Sequence, residues 1–178
     1  MVDNGEMHIV VSVDLNDPKA LQAYRDANTA RGRALIARGE AKAIWVQVTF
    51  ARPLPADEVR TLVEETGFEV ENYLRVGRAS NGERVIHIRV GPIGDDVPET
   101  VYDPLWNVEK TYAGIMTLQG TVETTERGLG RWLVDERVYL IDTTGEEVRE
   151  LATQRHASAV AGREIVVGVE SPYWNFDW

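Results

Sequence analysis

The 178-residue sequence contains no cysteine. Disulfide bonds, thiolate zinc sites, iron–sulfur clusters and a cysteine nucleophile are thereby excluded. Lysine is scarce, with 3 of the 19 basic residues, and the rest are arginine. No apolar run approaches the ~18 residues of a membrane-crossing helix, and the stretch from Met1 to Glu6 lacks the basic and apolar regions of a signal peptide. The expectation is a chain without a membrane span, cytoplasmic by default and extracytoplasmic if a leader or anchor has been trimmed. Positive charge is missing where a nucleic acid would need it. The net charge is -10, with 16 acidic against 7 basic residues over 91–178 and 13 against 12 over 1–90. Such a surface repels phosphate backbones, so nucleic acid is not an expected partner.

Catalytic and cofactor signatures are missing too. His8, His87 and His156 lie too far apart to share a helical face as metal ligands, so no metal is expected. Ser12, Ser80, Ser158 and Ser171 lack the glycine-flanked elbow of serine hydrolases. Gly128-Leu129-Gly130 has no third glycine and falls inside a helical pattern, and no Gly-Lys-Ser/Thr loop exists to cradle a phosphate. Asp14, Asn16 and Asp17 run into Pro18 and Lys19 without the glycine and distal glutamate of a calcium loop, and read as helix capping. The adjacent acids Asp95-Asp96, Asp135-Glu136 and Glu146-Glu147 do not face each other and mark solvated surface. No cofactor is expected.

What remains is the composition of a folded domain, 43% hydrophobic and 27% charged, with alternating strand and helix signals. A strand is expected at His8–Val13. Asp17-Pro18 then caps a helix of about 20 residues with Ala20, Leu21, Tyr24, Ala27, Leu35 and Ile36 on its apolar side. Arg31, Arg33 and Arg38 gather toward its end, and Gly39 closes it. From Ile44 to Phe50 the pattern has period two, with Ile44, Val46, Val48 and Phe50 on one face and Trp45, Gln47 and Thr49 on the other. Pro53 and Pro55 end that strand, and a helix with the stripe Val59, Leu62 and Val63 runs to Gly67. Beyond a loop at Gly91–Glu99, Asp103-Pro104 predicts a short helix through Trp106 and Val108. A strand at about Ala113–Val122 follows, then a helix opened by Thr124-Thr125-Glu126 that buries Leu129, Trp132 and Leu133. Arg137–Asp142 is the next strand, Thr144 and Glu147 form a capping box for a helix through Val148 and Leu151, and Ile165–Val169 is the last strand.

The hairpin between the second helix and the loop can be placed in register. A two-residue Asn81-Gly82 turn would pair Val76 with His87 and Leu74 with Arg89, mixing apolar and charged residues on one face. A three-residue loop, Ser80-Asn81-Gly82 with Gly82 left-handed, pairs Val76 with Ile86 and Leu74 with Ile88 instead. The second register is preferred. Its other face then carries Arg75 opposite His87 and Tyr73 opposite Arg89, with Glu71 nearby.

These elements predict a single α+β domain over 1–178, an antiparallel or mixed ferredoxin-like sheet of strand–helix–strand units with helices packed mainly on one face. A weak internal repeat relates such units at about 43–77 and 113–142; one strand–helix–strand–strand–helix–strand unit over 43–121 is the other arrangement. Two groups of residues are candidate binding surfaces. One is the sheet face with Trp45, Tyr73, Arg75, His87 and Arg89, left open as such sheets often are. The other is the ending Pro172–Trp178, which places Trp174, Phe176 and Trp178 on one side of an extended segment. A cation beside His87 would hold its imidazole neutral near pH 7. The expected role is a non-catalytic domain binding a small molecule or a protein, self-association included, as a sensory or regulatory module of bacterial type or part of a larger protein. One alternative is a small enzyme using His87, Arg75, Arg89 and Tyr73 on an acidic substrate. Another is a purely structural domain of a longer chain.

Overall fold

A computed structural model describes residues 6–11, 17–155 and 164–169. In chain order the elements are β1 (Glu6–Val11), α1 (Pro18–Ala37), β2 (Ala43–Leu54), α2 (Ala56–Thr66), β3 (Glu69–Ala79), β4 (Arg84–Val90), β5 (Thr100–Asp103) and β6 (Val108–Glu123). A π-helical turn (Glu126–Gly130) then runs into α3 (Arg131–Leu133), followed by β7 (Val138–Asp142), α4 (Thr144–Arg155) and β8 (Glu164–Val169). The chain is thus a mixed α+β structure, and no helix among the described residues is long and apolar enough to cross a membrane. Trp174, Phe176, Trp178 and His156 lie outside the described residues.

Six strands form one antiparallel sheet in the order β4-β3-β6-β2-β7, with β5 paired to the start of β6. β1 and β8 pair in parallel as a separate two-stranded sheet. Because β6 lies between β2 and β3, and antiparallel to both, β2 and β3 run in the same direction with α2 connecting them. β6 and β7 stand in the same relation across β2, with the π-helical turn and α3 between them. The main core lies on one face of this sheet. Ile44, Val46, Val48 and Phe50 from β2, Val59 and Leu62 from α2, Ile115, Leu118 and Val122 from β6, and Leu129 and Trp132 are all buried there. Trp132 packs edge-on against Phe68 (ring centroids 5.5 Å apart) and tilted against Phe50 (6.3 Å). The sheet centre is covered on its second face as well, since Gln47, Thr49 and Thr117 are also buried.

Local chemistry accounts for several element ends. Asp17 caps α1 by accepting from the Lys19 amide at 2.9 Å, with Pro18 at the first helical position. Gly67 closes α2 in a left-handed conformation. The hairpin has the expected three-residue loop, with Gly82 at φ 87° and the pairs Val76↔Ile86, Arg75↔His87, Leu74↔Ile88 and Tyr73↔Arg89.

Three local expectations are corrected. Asp103-Pro104 opens no helix: the Asp103 carboxylate accepts from the Leu105 and Trp106 amides, but the chain folds back to pair Asp103 with Val108. A capped first turn looks alike in a helix and a tight turn, and the exposed Leu105 and Trp106 give a helix no apolar face to bury. Thr144 makes no capping box with Glu147. Its hydroxyl is engaged by Tyr24 (2.7 Å), the Asp142 carboxylate accepts from the Thr144 amide (2.9 Å), and Glu147 pairs with Arg31. Finally, Trp45 does not share a face with Tyr73, Arg75, His87 and Arg89. Val48, Leu118 and Tyr73 align across β2, β6 and β3 on the core face, so strict alternation puts Trp45 on the second face. There its indole donates to Glu71 at 3.0 Å.

A polar seam joins α1, β7 and α4. The Tyr24 hydroxyl donates to Asp142 at 2.5 Å, and Asn28 accepts from the Thr143 amide at 2.8 Å. Arg31 and Arg38, from the basic end of α1, pair with Glu147 and Glu150 of α4, and Lys42 pairs with the buried Glu146. The cluster of positive charge seen in the sequence is therefore turned largely onto α4. Burial pushes the Asp142 carboxyl above its ordinary range, against the hydrogen bonds from Tyr24 and Thr144. Burial, and then the Asp142 charge, raise the Tyr24 phenol.

Candidate ligand-binding cleft

The hairpin register was legible, but the polarity of its faces is the reverse of a simple reading. Tyr73 is buried in the main core, with 3% of its surface exposed, and Arg75 on the same face is 5% exposed. Leu74, Val76 and Ile86 point the other way, into a smaller cluster with Met116. The face expected to be open is thus covered at Tyr73 and Arg75, while Arg89 at its edge stays exposed. Polarity suggested solvent for Arg75, whereas α2 and the segment Gly91–Glu99 close over it. Ile93 of that segment is buried in the core, Arg60 of α2 donates to the Gly94 carbonyl at 2.6 Å, and Arg75 donates to the Pro98 carbonyl.

Two bulges in β6 shape the surroundings of Arg75. Leu74 pairs with Thr117 but Arg75 with Ile115, and Val76 pairs with Gly114 but Gly77 with Tyr112. Each step leaves one extra residue in β6, which keeps both Ile115 and Tyr112 on the face of Arg75. Gly114 makes this possible. Its φ of 147° suits glycine, and a Cβ there would stand 2.4 Å from the Leu54 carbonyl oxygen. The Tyr112 ring then lies 4.0 Å from the Arg75 guanidinium carbon, a cation–π contact.

Beside this pair is a cleft of about 220 Å³, lined among others by Ala56, Arg60, Arg75, Val97, Tyr112 and Gly114. Asp57, Asp95 and Glu99 stand on its wall. Arg60 lies 3.7 Å from Asp95. The start of α2 also reaches the cleft, through Pro55 and Ala56, and no side chain caps that helix. Wider hollows exist, such as the groove of about 400 Å³ beside Glu64, Glu69, Glu123 and Arg127. None of those four charged residues is buried.

Arg75 is the unusual group. Among the described residues no carboxylate pairs with it, and its single hydrogen bond goes to the Pro98 carbonyl. Desolvation lowers its pKa from the ordinary value, opposed by Tyr112, Tyr73 and Glu99. A buried cation with no carboxylate in contact is costly to maintain. His87, directly across from it, has its ring centroid 5.7 Å from that of Tyr112 and a buried Nδ1 without a partner. Burial first, then the charges of Arg89, Arg75 and Lys110, hold its pKa below the ordinary 6.5. His87 does not line the cleft.

The structure thus brings Arg75 and His87 together, places the exposed Arg89 beside them on β4, sinks Tyr73 into the core and removes Trp45 to the second face. Sequence reasoning missed Tyr112, Arg60, Asp57 and Glu99. One signal was present: Gly114 interrupts a strand pattern, which marks a bulge or a close backbone approach. No protein-family model, curated protein or solved structure matches the chain.

Proposed function

We propose that the chain is a non-catalytic ligand-binding module that takes the anionic group of a small ligand against Arg75. The buried guanidinium without a carboxylate partner, at the wall of a cleft, carries this reading. An anion there would supply the missing counter-charge and accept charge-assisted hydrogen bonds from the planar fork. The scaffold is inferred to be ferredoxin-like: β2–α2–β3 and β6–α3–β7 interleave as two strand–helix–strand units, with β4 and β5 added in between. In that arrangement the cleft is walled by the start of α2 and the inserted segment between β4 and β5, where sequence can vary without disturbing the sheet.

The test is nuclear magnetic resonance of the full chain titrated with acetate, glycine and inorganic phosphate at constant ionic strength. Saturable displacement of the Tyr112 and Gly114 amide resonances by at least one of the three, lost in a folded Arg75→Gln variant, is the expected result; a strictly linear response to all three would sink the proposal. The enzyme reading built on His87 is less favoured, because His87 lies off the cleft. A protein partner is favoured by one separate feature, the β5–β6 turn that leaves Leu105 82% and Trp106 70% exposed. Light scattering of the wild type and Trp106→Ala tests whether that turn mediates self-association.

A further inference from the structure

The ligand class can be read from the charges that line the cleft. Arg75 is buried at the wall, whereas Asp57 and Glu99 are exposed, and among the described residues neither is held in an ion pair. Arg60 and Asp95 offset each other at 3.7 Å. The free charges are therefore one cation inside and two anions outside. A dianion such as phosphate would gain Arg75 but meet both carboxylates, and a simple carboxylate would meet them with nothing to offer. A ligand carrying a carboxylate at one end and an ammonium at the other satisfies both sets.

Size points the same way. At about 220 Å³ the cleft falls below the ~300 Å³ at which sites for drug-sized ligands begin, which suits a small molecule. The carboxylate end suits Arg75, whose planar guanidinium matches a carboxylate in a bidentate manner while its face rests on Tyr112. The ammonium end suits the rim, where Asp57 and Glu99 remain hydrated until the ligand arrives. Val97, Ile115 and the Tyr112 ring supply a short apolar wall between the two ends.

Resting on the reading of Arg75 as an anion anchor, we infer that the cleft binds a small zwitterionic amino-carboxylate, its carboxylate on Arg75 and its ammonium toward Asp57 and Glu99. The experiment compares L-alanine, β-alanine and 4-aminobutyrate with propionate, butyrate and inorganic phosphate, using the full chain and the resonances of Arg75 and Tyr112. At least one amino-carboxylate is expected to bind tenfold or more tightly than its amine-free counterpart. That preference should shrink to about threefold or less in Asp57→Asn combined with Glu99→Gln, two exposed substitutions expected to leave the fold intact. If propionate, butyrate or phosphate binds as tightly as the amino-carboxylates, the zwitterion inference is overturned while the anion anchor stands. If none of the six displaces the Arg75 resonance saturably, both fall.

Discussion

Two of the regions that bury polar side chains in this protein treat them differently. In the seam between α1, β7 and α4, Asp142 accepts from Tyr24 and Thr144, Asn28 from Thr143, and the cations Arg31 and Lys42 meet Glu147 and Glu146. In the cleft, Arg75 is buried too and has a backbone carbonyl and an aromatic face, but no carboxylate in contact. Polar groups satisfied within the chain hold elements together, and their burial needs no further explanation. A buried cation without a carboxylate partner at a cavity wall adds little to stability that an apolar side chain would not, so its presence there points to a ligand.

The sharpest way to break this contrast is to truncate one buried polar group on each side. Asp142→Ala removes the acceptor for Tyr24 and for the Thr144 amide, and should cost about 3 kcal/mol in urea unfolding. Gly114→Ala, which forces a Cβ against the Leu54 carbonyl at an unfavourable φ, should cost about 2 kcal/mol and also abolish ligand binding, since Gly114 lines the cleft. Arg75→Met should behave oppositely, leaving the ligand-free protein unchanged or more stable by about 1 kcal/mol while eliminating the anion response. A loss comparable to that of Asp142→Ala would show that Arg75 serves the fold, and the contrast would collapse.

Titration sharpens it further, because Asp142 in the seam and His87, across the strand pair from Arg75, should respond to pH in opposite directions. The His87 pKa is lowered in the folded state, so its contribution to stability is complete at high pH. That contribution is lost as pH falls below the ordinary 6.5 and through the folded value. Wild type should therefore lose stability relative to His87→Gln between pH 7 and pH 5. The Asp142 pKa is raised, so its contribution is complete below the ordinary 3.8 and is lost as pH rises through the folded value; wild type should weaken relative to Asp142→Asn over that window. Thermal unfolding at stepped pH measures both, and parallel profiles for wild type and variant would refute either assignment. The smallest effect is expected from Trp45→Phe, which breaks an exposed bond to Glu71 on the face away from the cleft. Its stability should change by no more than about 0.5 kcal/mol, with ligand affinity unaltered.

Much of the local structure was legible because it depends on neighbouring residues. Asp17-Pro18 and Gly67 mark helix ends through capping geometry, and the period-two run from Ile44 to Phe50 marks a strand. The register of the β3–β4 hairpin followed from a single constraint, that apolar residues should share a face. That same constraint could not say which face meets the helices. Assigning Tyr73 and Arg75 to solvent was natural and incorrect, whereas Arg89 on the same side is exposed. The side chains that complete the cleft, Arg60 and Tyr112, lie 15 and 37 positions from Arg75; the packing of α2 brings the first to it, and strand pairing with the bulges of β6 brings the second.

Taken alone, then, the sequence determined what short-range physics controls: where most helices and strands begin and end, how the hairpin pairs, and that many metal and nucleotide motifs are missing. Tertiary structure decided what depends on long-range juxtaposition. It chose which face of the sheet carries the core, turned the basic end of α1 onto the acids of α4, and left Arg75 as a buried cation without a carboxylate partner. Alternation along a strand separates two faces but does not rank them. The ranking comes from which face the helices and connecting segments can cover, and that is settled only when the whole chain is packed.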